Sequence, residues 1–136
     1  MGLDNGIIIR NKQTKEEVTC EEANISFQFF MGDNSSTILY MRKYWGVRNE
    51  IVDALDMQDD YEKILTSADI QTIIGILWNF TDKEYFEENA GSSIWDWQEA
   101  LSTLMRGICN LKIILNDIEV GNLDLDKYEI VFYDSY

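Results

Sequence analysis

Two β-branched runs bracket this chain, and they constrain its fold more than anything between them. Gly6-Ile7-Ile8-Ile9-Arg10 lies near one end and Tyr128-Glu129-Ile130-Val131-Phe132-Tyr133 near the other. Runs rich in Ile, Val, Tyr and Phe form strands, and a lone strand leaves its backbone donors and acceptors without partners. The two runs are therefore expected in one sheet, and the sequence between them must bring the chain back to it. Most of that sequence has helical spacing. Ile70, Ile73, Ile74, Leu77 and Phe80 recur behind a capping Ser67, with Asp69 in the first turn. Thr81 is placed to open a short acidic helix through Glu88. Ser93 and Asp96 have capping-box spacing for the longest helix, along which Ile94, Trp97, Leu101, Leu104, Ile108, Leu111 and Leu115 alternate steps of three and four.

That stripe suits either a central core helix or the seam of a homodimer over Ile94 to Leu115. Its β-branched Ile113 and Ile114 also allow the segment to end as strand. A further helix is predicted from Ser36 to Leu55. Ile25, Phe27 and Phe29 alternate as a half-buried strand, and Val18 to Cys20 is placed to return after a polar turn at Asn11 to Lys15. Proline is absent, so glycine and Asn/Asp/Ser clusters supply the breaks. The pattern predicts an α+β fold: a small antiparallel sheet including both terminal strands, with about four helices packed on one face. At 136 residues the chain forms a single domain over 1–136.

Charge narrows function. Against 25 Asp and Glu stand 11 Lys and Arg, for a net charge of −14. Such a surface repels DNA, RNA and anionic membranes and suits basic partners. No apolar run approaches the roughly 18 residues of a membrane span, no leader pattern is visible, and the two cysteines lack metal-like spacing, which together predict a cytoplasmic protein. Histidine is absent, which removes Ser-His-Asp and Cys-His catalysis and His-ligated zinc. No phosphate-binding glycine loop occurs. The acidic run Asp53 to Glu62 lacks the alternation and glycine of an EF-hand, and Asp124 and Asp126 read as a solvated loop in place of a magnesium site. The expectation is a non-enzymatic binding protein with no metal, no cofactor and no catalytic residues.

In this acidic chain, "RKYWGVRN" gathers Arg42, Lys43 and Arg48 around Tyr44 and Trp45. On a helix over Ser36 to Leu55, with about 3.6 residues per turn, Val47, Tyr40, Ile51, Tyr44, Leu55, Met41, Val52 and Trp45 share one face with Arg48 in its middle. Arg42 and Asn49 border that face. A guanidinium there cannot shed its proton and requires an anion. Either Asp4 or Asp96 completes a buried ion pair, or a ligand does. In the second case Arg42, Trp45, Arg48 and Asn49 form a pocket for a phosphate-bearing or nucleotide-like molecule, with the indole stacking a base.

The stretches "MGLDNGIIIR", "RKYWGVRN" and "YEIVFYDSY" resemble those of small proteins from Gram-positive bacteria and their phages and mobile elements, a group with no agreed activity. The resemblance carries no functional residues across. It implies an inhibitor of host defence that acts in the host cytoplasm by binding. Such a protein sequesters a nucleotide signal or mimics nucleic acid in a partner's basic groove, and a housekeeping interaction module is a third reading. For the mimic, the carboxylates are Asp53, Asp56, Asp59, Asp60 and Glu62 in one run and Asp82, Glu84, Glu87 and Glu88 in the other.

Overall fold

The computed structural model describes residues 4–25, 37–57, 60–91 and 96–135. Strands β1 (Asp4–Asn11), β2 (Thr37–Arg42), β3 (Glu62–Ile64) and β4 (Tyr128–Ser135) form an antiparallel sheet in the order β2-β1-β4-β3. The two terminal strands pair along their full lengths, from Asp4 opposite Ser135 to Asn11 opposite Tyr128. Helices α1 (Trp45–Ala54), α2 (Ser67–Phe80), α3 (Lys83–Asn89) and α4 (Trp97–Val120) pack on this sheet, giving the α+β class expected. Because β2 and β3 occupy opposite edges, α1 carries the chain across the sheet. The three later helices return it, and β4 inserts at the centre.

The covered face follows strand periodicity. Leu39, Ile7 and Phe132 align across β2, β1 and β4, and all three are fully buried. Helix α4 closes over Leu39 at Gly107, where an added Cβ would lie 2.7 Å from one Leu39 methyl and 3.3 Å from one of Leu77. The missing side chain lets α4 approach β2 and α2 together. Asn110 of α4 also donates to the Ile38 carbonyl at 3.1 Å, beside an irregularity in the β1–β2 register. Leu104, Ile108, Leu111 and Ile114 are buried in this core. Of the seven-residue stripe, Trp97, Leu101 and Leu115 are half-buried, and Ile94 lies outside the described residues, as does Ser93. Helix α4 runs on through Ile113 and Ile114 and stops only at Gly121, whose φ of 84° supplies a left-handed C-terminal turn.

Several boundaries differ from the sequence reading. The helix expected over Ser36 to Leu55 is a strand followed by a helix: Thr37–Arg42 is β2, and α1 begins only at Trp45. Leu39 and Met41 point into the core while Tyr40 and Arg42 are exposed, a period of two that competes with the helical pattern in the same residues. The break is Lys43, held at a φ of +64° with no glycine or proline to announce it. Thr66, not Ser67, caps α2, exchanging bonds of 3.1 and 3.0 Å with Asp69 in a capping box. Asp82, not Thr81, caps α3, and Asp96 caps α4. The return strand at Val18 to Cys20 reduces to a single bridge between Arg10 and Glu17. The strand expected over Ile25 to Phe29 lies beyond Ile25 outside the described residues.

The other face of the sheet carries an ionic strap. Arg10 donates from Nε to Glu129 at 2.6 Å, and its Nη2 lies 2.6 Å from Glu62. Arg10 stands opposite Glu129 and Glu62 opposite Tyr133, so the Arg10–Glu62 bridge passes diagonally over Val131, which is only 1% exposed. Lys15 adds a second cation 3.1 Å from Glu129. Burial pushes the Glu129 carboxyl up, but the bonds from Arg10 and Lys15 outweigh it and hold the group below its usual range.

Candidate functional site

Arg48 meets its anion inside the protein. Its Nε and Nη2 embrace Asp134 of β4, at 3.1 Å to each oxygen and 2.7 Å from Nη2 to Oδ2. The Arg48 side chain is 15% exposed and that of Asp134 is 1% exposed. Nη1 of Arg48 also donates to Asn49 Oδ1 at 2.9 Å. The buried-pair reading therefore describes Arg48, but its partner is neither Asp4 nor Asp96. Asp134 was legible in principle, because Ile130, Phe132 and Asp134 step by two along the buried face of β4. The pair ties the first turn of α1 to the central strand. Asn5, directly across from Asp134, is fully buried, and its side-chain amide makes no hydrogen bond among the described residues.

The strand–helix break separates the four residues proposed for one pocket. Arg48 and Asn49 stay together on α1. Trp45, the first residue of α1, is half-buried beside Gly91, its Cβ 3.6 Å from where a Cβ on that glycine would stand. Arg42 belongs to the end of β2 and lines a groove of about 230 Å³ with Tyr40, Tyr44, Glu99 and Thr103. Trp45 and Arg48 take no part in that groove. Its inner wall is the buried Tyr44, whose hydroxyl hydrogen-bonds Thr103; burial, above all, raises the Tyr44 pKa. At its outer wall Tyr40 donates to Asp4 at 2.9 Å.

Helices α1 and α3, each bordering one of the acidic runs, touch at two places. Gly46 of α1 donates its backbone N–H to the Ala90 carbonyl at the end of α3, at 3.0 Å. No larger residue fits there, since a Cβ on Gly46 would fall 1.9 Å from the Asn89 carbonyl oxygen. One turn further along α1, Glu50 accepts the Tyr85 hydroxyl at 2.8 Å, and the Tyr85 ring packs edge-on against Phe80, 5.1 Å between centroids. Rising numbers on α1 thus meet falling numbers on α3, so the helices run antiparallel and Asp53 lies toward the Asp82 end. Asp53, Asp56, Asp60, Asp82, Glu84, Glu87 and Glu88 are all exposed. Asp82 also caps α3 through the Glu84 N–H at 3.3 Å, and Glu87 lies 4.0 Å from Lys83. Glu62 departs from this group, being drawn to Arg10 across the sheet, and Asp59 lies outside the described residues.

Other chemistry is sparse among the described residues. No group of three or more Cys, Asp or Glu side chains is placed to hold a metal ion. Asp124 closes a turn, its Oδ1 accepting from Asp126 and its carbonyl from Lys127 and Tyr128. Cys20 is buried, which pushes its thiol up to about 11 and keeps it protonated near neutrality. No described helix is long and apolar enough to cross a membrane. The chain matches no protein-family model, and no curated protein or solved structure is significantly similar to it.

Proposed function

We propose that this protein is a non-enzymatic, acidic docking module whose α1–α3 face occupies a basic, nucleic-acid-binding groove on a partner protein. The antiparallel links between α1 and α3 carry this reading, because they set side by side two helices that border acidic runs well separated in sequence. Glu84 and Glu88 are a helix turn apart on α3, which sets their carboxylates about 5–6 Å apart, while Asp53 lies in the last turn of α1 and Asp56 just beyond it. The α3 spacing is below the Debye length of about 8 Å at physiological salt, so those carboxylates act on a partner as one field. Like charges at such spacings cost a few tenths of a kcal/mol per pair in an isolated helix. A surface selected only for solubility has no reason to gather them. The resemblance to phage and mobile-element proteins supports an inhibitory role for the docking.

The test is displacement. Bacterial nucleic-acid-binding proteins are loaded on immobilised double-stranded DNA and challenged with the wild-type chain or with a folded Asp53→Asn, Glu84→Gln, Glu88→Gln variant. Selective release of a DNA-bound protein by the wild type, weakened steeply by salt and lost in the variant, is the expected result. Equal release by both chains, or none by either, contradicts the reading.

A further inference from the structure

We propose that the groove between the end of β2 and the first turns of α4 binds a phosphate ester, with Arg42 as its principal anion contact. The starting point is where the cations of this chain go. Among the described residues every other lysine and arginine has a partner: a carboxylate, a carbonyl, an aromatic ring or another interacting group. Arg42 and Lys43 alone have no such partner among those residues, although the chain carries 25 acidic side chains. Asp4 stands directly opposite Arg42 in the β1–β2 pairing and is the obvious acid to neutralise it. Its carboxylate instead accepts the Tyr40 hydroxyl. The exposed Arg42 is left lining a groove, and Lys43, next to it in the chain, is exposed as well.

The lining defines the chemistry that fits. A guanidinium binds phosphate through two parallel hydrogen bonds. The Thr103 hydroxyl, hydrogen-bonded to Tyr44, also lines the groove. Glu99 is an acceptor only, so it repels a bare anion and attracts hydroxyl donors. A groove with a cationic end and a carboxylate within it favours a phosphate attached to a sugar over phosphate alone. Its volume of about 230 Å³ is below the usual range for drug-sized ligands, about 300–1,000 Å³. It therefore takes one phosphate and one ring, not a dinucleotide. None of the acidic α1–α3 residues contributes, and the docking function proposed above stands or falls separately.

Titration of the isotopically labelled full chain with ribose 5-phosphate, followed by amide resonances, tests the assignment. Saturable shifts at Arg42, Glu99 and Thr103 are expected, with affinity reduced about tenfold or more in Arg42→Gln, as loss of a charge-assisted contact implies. Lys12→Gln, which removes a cation elsewhere, should leave the titration unchanged. Ribose should produce no saturable shift, and Glu99→Gln should raise the affinity of inorganic phosphate relative to that of the sugar phosphate. Absence of saturable shifts at millimolar ligand, or equal binding by Arg42→Gln, would overturn the site. Inorganic phosphate binding as tightly as the ester to the wild type would overturn the ester assignment.

Discussion

Arg42 and Arg48 belong to one short cationic segment, yet the fold treats them in opposite ways. Arg48, in the first turn of α1, faces the sheet and is clamped to a buried carboxylate from β4. Arg42, at the end of an edge strand, is exposed and unclamped while the acid opposite it serves a tyrosine. The difference comes from the backbone between them. Lys43 turns the chain from a two-residue to a 3.6-residue period, so side chains that would share one helix face diverge onto two elements. A cation's availability is decided by which element carries it, and local composition alone does not reveal that. Arg48 holds the fold together, and Arg42 has no ion pair among the described residues.

The comparison breaks most sharply at Arg48. Arg48→Met leaves Asp134 charged, buried and uncompensated, which should cost about 3–5 kcal/mol and lower Tm by about 10–20 °C. Replacing Asp134 by Leu in the same chain should recover much of that loss, measured as a coupling energy in a double-mutant cycle. Arg10→Met removes the larger partner of buried Glu129 but spares Lys15, so a smaller loss of about 2–4 kcal/mol is expected by chemical denaturation. That network also sets a pH dependence. Glu129 has its folded pKa depressed below 4.5, so its stabilisation is fully present above that value and is lost as pH falls through the folded pKa. Arg10→Met should flatten the acid limb of the stability profile. Glu62→Gln should cost less than about 1 kcal/mol, because the Glu62 side chain is half exposed.

The terminal strands, the α2 and α4 stripes and the α+β class were legible because each has one unambiguous period over many residues. Residues 37–42 were not. Their Ile, Leu, Tyr and Met satisfy helical spacing with the residues that follow, and only pairing with Ile7 and its neighbours selects strand. The same ambiguity displaced the candidate site. Once β2 is a strand, Arg42 leaves the face of Arg48 and joins Tyr44 and Thr103, a partner from a helix more than fifty residues away. Asp134 was readable from the alternation of β4, but the strand order that sets it beneath α1 was not. The link between α1 and α3 runs through Gly46 and Ala90, a contact with no local signature.

Equilibrium urea unfolding of Arg42→Gln beside Arg48→Met tests the division most directly. The exposed Arg42 should be replaceable within about 0.5 kcal/mol of the wild type, while Arg48→Met should lose several kcal/mol at an unchanged denaturant slope. Comparable losses in the two variants, or an Arg48→Met chain as stable as the wild type, would show that the fold does not divide its cations as described.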